Sequence, residues 1–302
     1  MIAMKFFYMK HDFYAGQFTK TAFPLFKGFN ERVALWFATW FNKSSEIYKN
    51  LLVRHFEQAF YDTIICVPFI NGKVATDFIE ERMRELEEER MRELEAWLRA
   101  AGFEDCTLTE EELNAISEIE DEHLKWAEKE IVDDIFTVQN THNILKENVV
   151  FRSGETPYVT ASEGNNSIVS YISYKDEMKE EGNNILIGGK TLVITYQPND
   201  FFSNDSHNLV LKPIAKAAKR EDVQLFLVTS LYKSLSPKYS WGDSISKKKI
   251  KKDSLTLPVN SQDVPDYSKM ATIISAVKKL VIKDVAEYAN KKIRVAQQVI
   301  AK

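Results

Sequence analysis

Ser254-Leu255-Thr256-Leu257-Pro258, a polar turn at Asn260 to Asp263, then Asp266-Tyr267 and a long amphipathic run decide how this chain is read. Alternating apolar residues closed by a proline describe a strand, and the run that follows has the spacing of a helix. The same order occurs earlier. Ile64-Ile65-Cys66-Val67-Pro68 is followed by a turn at Asn71-Gly72, by Asp77-Phe78 and by another long helical run. The offset is 190 at the proline and 189 at the aspartate. Upstream, Asp12-Phe13-Tyr14 matches Asp200-Phe201-Phe202 at 188. The apolar helix Val33 to Phe41, ending in Asn42-Lys43, matches Val223 to Leu231, ending in Tyr232-Lys233, at 190. Ordered anchors at nearly one offset mark an internal repeat. Each copy reads strand, strand, short helix, polar or basic stretch, strand ending at proline, long helix. The fold class expected is α+β, mixed α/β modules each with an appended long helix.

The first long helix is expected over Thr76 to Ala101, about 39 Å at about 1.5 Å per residue. Ile79, Met83, Leu86, Met91, Leu94, Trp97, Leu98 and Ala101 fall on one stripe, and the octamer EERMRELE occurs twice in succession, at 80 to 87 and 88 to 95. The second is expected from Ser268 onward, with Met270, Ile273, Ile274, Val277, Leu280, Val281, Val285, Tyr288, Val295 and Val299 on one face. Two such stripes need partners, either each other, as an antiparallel coiled coil within the chain, or another chain. Between the copies, Gly102 to Glu130 is acidic, and Thr109-Glu110-Glu111-Glu112 has the form of a capping box, so it reads as a helical or partly flexible connector.

Residues 135 to 200 have no counterpart in the first copy. Gly154-Glu155-Thr156-Pro157-Tyr158-Val159-Thr160-Ala161-Ser162 enters a strand, and Asn165-Asn166 precedes a strand over Ile168 to Tyr174. Further strands are expected over Ile185 to Ile187 and Thr191 to Tyr196, joined at Gly188-Gly189. The module is thus whole only in its second occurrence. The boundaries expected are a partial module over 1–72, a first long helix and connector over 73–123, a complete module over 124–262 and a second long helix over 263–302.

Over its 302 residues the chain carries 40 Lys and Arg against 44 Asp and Glu, a net charge of −4. That sum argues against a nucleic-acid partner only if charge is evenly spread. It is not: residues 1–72, 73–134 and 135–302 carry nets of +3, −14 and +7. Two cysteines, Cys66 and Cys106, are too few for a disulfide framework and suit a reducing compartment. No export signal and no run long enough to cross a membrane is read, so a cytoplasmic location without a membrane partner is expected.

Catalytic patterns are missing. Gly188-Gly189-Lys190-Thr191 resembles the end of a phosphate-binding loop, but the earlier glycine position is Asn184 and a strand, not a helix, follows. The five histidines and two cysteines lack metal-ligand spacing. There is no Gly-x-Ser-x-Gly elbow, no Asn-Pro-Pro-aromatic string, and no Asp/Glu-x-Lys after Pro265-Asp266. No catalytic residue and no metal site are assigned.

What is present is basic. Lys247-Lys248-Lys249-Ile250-Lys251-Lys252 lies just before the Leu255 to Leu257 strand, preceded by Lys233, Lys238, Tyr239 and Trp241. The matching stretch of the first copy carries Lys43, Lys49 and Arg54, with Lys20 upstream. Such clusters neutralise phosphates, although a charge run is often only a solvated loop. Tyr158, Thr160, Ser162, Asn165 and Asn166 can reach base edges or phosphates, and Asn165-Asn166 equally suits a plain turn.

These residues carry a resemblance. The string from Gly154 to Ser162 with Asn165-Asn166, the aromatic-rich Tyr196 to Phe202, Leu257-Pro258 and Asp266-Tyr267 resemble the target-recognition domain of restriction-modification specificity subunits, of type I or type IIB systems. Trp126 and Ile135-Phe136 are similar to the usual start of such a domain. In the first copy, the string from Phe13 to Thr21, the Asn42-Lys43 helix end, Val67-Pro68 and Asp77-Phe78 resemble the second half of another. The resemblance implies a non-catalytic reader of double-stranded DNA, with methyltransferase and possibly nuclease subunits as partners. S-adenosylmethionine and magnesium would then be held by those partners and no cofactor by this chain. DNA contacts would fall to Tyr158, Thr160, Ser162, Asn165, Asn166, Lys233, Lys247, Lys248, Lys249, Lys251, Lys252, Lys20 and Lys43. The partial first copy leaves the chain as a fragment, a rearranged product or a protein completed by another chain. The alternative is a helical scaffold whose basic blocks only solubilise it.

Overall fold

The computed structural model describes residues 5–17, 19–48, 55–240 and 242–300, with side chains described as far as 291. Phe18, Lys49, Arg54 and Trp241, and the side chains of Val295 and Val299, lie outside the described residues. The chain divides into two compact units, residues 1–104 with 285–302, and residues 105–284.

The first unit starts with α1 (Glu31–Lys43), whose N-terminus is capped by Asn30, its side-chain oxygen accepting from Val33 N at 3.1 Å. α2 (Phe56–Tyr61) follows, then the hairpin strands β1 (Phe69–Ile70) and β2 (Lys73–Val74), then α3 (Thr76–Ala100). Its packing is aromatic: Phe6 lies 5.2 Å from Phe41 and 5.9 Å from Phe60 between ring centroids, and Tyr48 is buried beside Phe56. α1 docks on α3 through Arg32, which meets Glu87 at 3.1 Å, and through Asn30, which donates to Glu80 at 2.7 Å. The end of the last helix, from Val285, belongs to this unit and packs with α3.

The expected strand over Ile64 to Pro68 is not one: residues 63–68 are without secondary structure, and Ile64 is 95% exposed. The second copy supplies the reason. There the matching strand pairs with a strand from the start of its module, and in the first unit no described strand pairs with residues 63–68. A strand is defined by its partner, so the same alternating pattern leaves an unpaired extended segment.

The second unit opens with α4 (Glu110–Glu120), and its capping box is formed in both directions: Thr109 Oγ1 accepts from Glu112 N at 3.2 Å and Glu112 accepts from Thr109 N at 2.8 Å. β3 (Trp126–Glu130) and β4 (Phe136–Asn140) lead to β5 (Thr156–Val159), β6 (Ile168–Ile172), β7 (Asn184–Ile187) and β8 (Ile194–Gln197). β9 (Phe202–Ser203), β10 (Leu209–Pro213), α5 (Glu221–Leu235), α6 (Lys247–Ile250), β11 (Ser254–Pro258) and α7 (Tyr267–Ile300) complete the order. A four-stranded antiparallel sheet runs β4-β10-β7-β8, β11 pairs antiparallel with β3, and β5 stands between β6, antiparallel, and β9, parallel. β7 is buried at every position, as its unbroken apolar reading requires. α5 turns Val223, Phe226, Leu227, Leu231 and Leu235 inward over β7, β8 and β11. With Leu255, Leu257, Met270 and Ile273 they form one core.

In this unit two strand bounds and the buried face of α7 differ from expectation. The β6 strand stops at Ile172 rather than Tyr174, and β8 begins at Ile194 rather than Thr191, because Leu192 takes a left-handed turn conformation at φ 55°. The compact units divide at 104/105 and 284/285, so the acidic connector belongs to the second unit and is fixed there. Glu112 of α4 is buried against α7, accepting from Ser275 at 2.6 Å and Lys279 at 2.8 Å, and Glu118 pairs with Lys269 at 2.8 Å. On α7, Met270 and Ile273 are buried as expected, but Val277, Leu280, Val281, Val285 and Tyr288 are exposed. The small residues Ala276, Ala286 and Ala289 carry the buried line instead.

The repeat survives in three dimensions. In both copies the turn before the long helix is closed by one bond onto the proline that precedes it: Ala75 N donates to Pro68 O, and Asp266 N to Pro258 O, each at 2.9 Å. This equates Asp266 with Ala75, not Asp77, because Asp266 caps α7, accepting from Lys269 N, whereas Asp77 already lies inside α3.

Candidate nucleic-acid interface

The basic run is a short helix rather than a loop. Ser246 caps α6, its hydroxyl accepting from Lys249 N at 3.3 Å, and Ile245 and Ile250 sink into the core on either side. Asp253, itself buried, accepts from Lys238 at 3.0 Å and from the Tyr239 hydroxyl at 2.6 Å, tying the preceding segment to the end of the run. Burial first, then the bond to Asp253 and its charge, raises the Tyr239 phenol, which stays a neutral donor. On this anchored turn Lys247, Lys248, Lys251 and Lys252 are exposed, and no hydrogen bond or ion pair joins their side chains to any described residue. Lys249 differs: it is exposed, but its ammonium pairs with Asp243 and lies 5.6 Å from the centre of the Tyr239 ring. Lys233 is exposed near the end of α5.

The second group of sequence candidates is placed otherwise. Tyr158 is fully buried and donates to Ile144 O at 2.6 Å, so it stands in the core rather than on a surface that DNA could touch. Thr160 and Ser162 hydroxyls lie 3.1 Å apart. Ala161, Gly164, Asn165, Asn166 and Ser167 all take positive φ, an unusual run that asparagine and glycine tolerate best. The side-chain amides hold it: Asn165 donates to Ile168 O at 2.7 Å and Asn166 to Tyr196 O at 2.8 Å. The turn role is therefore occupied. Among the described residues no hydrogen bond or ion pair joins this turn to the α6 lysines. In the first unit, Lys20 pairs with Glu57 at 2.6 Å and Lys43 lies 5.1 Å from the Trp40 ring centre.

Two glycine positions explain sequence features once open to other readings. A Cβ on Gly154 would stand 2.6 Å from the Ile172 backbone, so the string before Tyr158 needs glycine to pass β6. A Cβ on Gly189 would stand 2.2 Å from His207 O. Lys190 beside it pairs with Asp205 at 2.9 Å. Burial pushes the Asp205 carboxyl up, but His207 and Lys190 outweigh it and hold it at about 2. Gly188-Gly189-Lys190-Thr191 is therefore a packed strand connection.

A second basic turn, not singled out in the sequence, carries Lys216, Lys219 and Arg220 just before α5, all exposed. Its signal was diluted by two alanines and by the Glu221-Asp222 pair that follows. No group of histidine, cysteine and carboxylate side chains among the described residues could hold a metal ion. No described helix is long and apolar enough to cross a membrane.

Comparison with known proteins gives a family match over residues 124–288, to the type I restriction modification DNA specificity domain. No curated protein matches. Among solved structures, the S subunit of a type I restriction-modification system from M. genitalium is similar with a TM-score of 0.43 at 12% identity, covering 74% of this chain and 59% of that one. The HsdS subunit from Thermoanaerobacter tengcongensis gives 0.38 at 13%, covering 77% and 60%. A structure described as the basis of complex assembly and conformational transition of the type I R-M system gives 0.41 at 14%, covering 81% and 66%. The chain thus spans about three fifths of the length of the first two.

Proposed function

Because this chain belongs to the type I restriction modification DNA specificity domain family through residues 124–288, we propose that it is the sequence-reading subunit of a restriction-modification complex. It binds double-stranded DNA and performs no chemistry of its own. Methyltransferase subunits, and a nuclease subunit where one is present, supply methylation and cleavage and hold S-adenosylmethionine and magnesium. The observation that carries the reading is the coincidence of the family match with the anchored turn at Lys247 to Lys252, where the side chains of Lys247, Lys248, Lys251 and Lys252 have no partner among the described residues. A turn held in the core by Ile245 and Ile250 presents its charges from an ordered backbone, so that only the lysine side chains remain to be ordered on binding. The paired long helices serve as the spacer between recognition modules and as the platform for methyltransferase subunits.

The test is equilibrium binding of the full chain to duplex DNA across a salt series. Affinity is expected to fall steeply with ionic strength, by roughly 0.9 in logarithmic slope per neutralised phosphate. Replacing Lys248, Lys249 and Lys251 with alanine should weaken binding to all sequences alike and flatten that slope. Weak binding that is flat with salt would instead favour a helical scaffold with no DNA role.

A further inference from the structure

We propose that Lys216, Lys219 and Arg220 form a second phosphate-binding element, and that with Lys247, Lys248, Lys251 and Lys252 they make one DNA-backbone surface at a single end of the central sheet. The inference rests on the reading of this chain as a DNA reader and adds residues to it. The two turns are some 30 positions apart in sequence. Both are attached to the same short loop. Ile214, at the base of the first turn, donates its N–H to Ile135 O at 2.9 Å, and Pro213 pairs with Phe136. Asp253, at the end of the second, accepts from Ile131 N at 3.0 Å, and α6 itself packs against β4. Residues 131–136 thus stand between them, closed on themselves by Phe136 N donating to Ile131 O at 2.9 Å.

The first turn is anchored in the core like the second. Its Ala218 is fully buried in the core, and Ala218 N donates to Ala215 O at 3.0 Å. The side chains of Lys216, Lys219 and Arg220 make no hydrogen bond or ion pair with any described residue, whereas Lys212, four residues before the first of them, is taken by Glu181 at 2.8 Å. The carboxylates that follow, Glu221 and Asp222, are drawn away to Lys278 at 3.0 and 2.7 Å. The intervening loop contributes Glu130, Asp133 and Asp134, all exposed. Asp134 accepts from Glu130 N, and none of the three pairs with a lysine of either turn. Seven unpaired cations against three carboxylates leave the surface positive, and a rigid positive surface spread over two turns suits the repeating phosphates of a duplex.

The experiment uses the full chain and a duplex DNA probe. Salt-dependent affinity is measured for the unaltered chain, for K216A/K219A/R220A and for the charge-keeping K216R/K219R/R220K, with thermal unfolding of each. The alanine variant should bind with a logarithmic salt slope shallower by about 2 to 3, while the charge-keeping variant keeps the original slope. Binding by the alanine variant with an unaltered slope would overturn the second element and leave the reader intact. Absence of salt-dependent binding by the unaltered chain would overturn the reader itself. Loss of slope in both variants with unchanged unfolding would show that the turn acts through shape rather than charge, and would also overturn the proposal.

Discussion

Tyr158 shows how one side chain divides structural from functional roles. Its ring fills the core and its hydroxyl donates to Ile144 O, so Tyr158→Phe should cost about 1 kcal/mol of stability and leave the DNA affinity of the folded chain unchanged. Denaturant unfolding beside a binding isotherm checks both, and a tenfold loss of affinity at unchanged stability would put Tyr158 back at the interface. Glu112 is the second such residue. Burial pushes its carboxyl up, but Lys279, Ser275 and the Thr109 N–H together hold it at about 2, below the ordinary 4.5. A depressed carboxylate contributes stability above its unfolded value, and the contribution is lost as pH falls from about 4.5 toward 2. The amides of α4 should accordingly lose protection over that window, and Glu112→Gln should remove that part of the pH dependence while costing roughly 1.5–3 kcal/mol at neutral pH. Protection that is flat across the window would contradict the assignment. Of these roles, the capping box was legible in Thr109-Glu110-Glu111-Glu112, but the partners on α7 were not, because a contact more than 160 residues away leaves no local pattern.

At the scale of elements the repeat is the main legible feature, and it extends to a contact that neither copy reveals alone. In the first unit Arg32 of α1 pairs with Glu87 of α3, and in the second Asp222 of α5 pairs with Lys278 of α7. Positions 32 and 222 correspond at 190, and 87 and 278 at 191, so the same docking is kept with the charges inverted. Each short helix therefore meets repulsion on the wrong long helix, a device that favours the correct pairing. Asp222→Arg should destabilise the α5 docking by about 0.2–1 kcal/mol, as a partly exposed pair warrants, and adding Lys278→Glu should restore part of it, since the Glu221 pair with Lys278 is lost. Unfolding midpoints of the single and double variants check this, and a double variant no better than the single would contradict it. Helices were read within a few residues, since period and caps are local. The strand at 64–68 was misread because its alternation is local but its partner is not, and the α7 face was misread because alanines, not the larger apolar residues, take the buried line.

At the scale of the molecule, a net charge of −4 conceals a division between an acidic spacer and basic modules. Two carboxylates of the acidic α4, Glu112 and Glu118, are taken up by α7, while the lysines of the α6 turn other than Lys249 stay exposed with unpaired side chains. The basic run was legible as composition, whereas its anchoring and the company of Lys216, Lys219 and Arg220 depended on the way the sheet brings chain ends together. The central claim, that this chain selects a DNA sequence for methyltransferase partners, is tested most directly by sequencing the methylated bases of cells that carry those partners, with this chain intact, deleted, or altered at Lys248, Lys249 and Lys251. The account predicts one modified sequence motif that disappears on deletion and is depleted in the lysine variant. Identical methylation patterns in all three would contradict it.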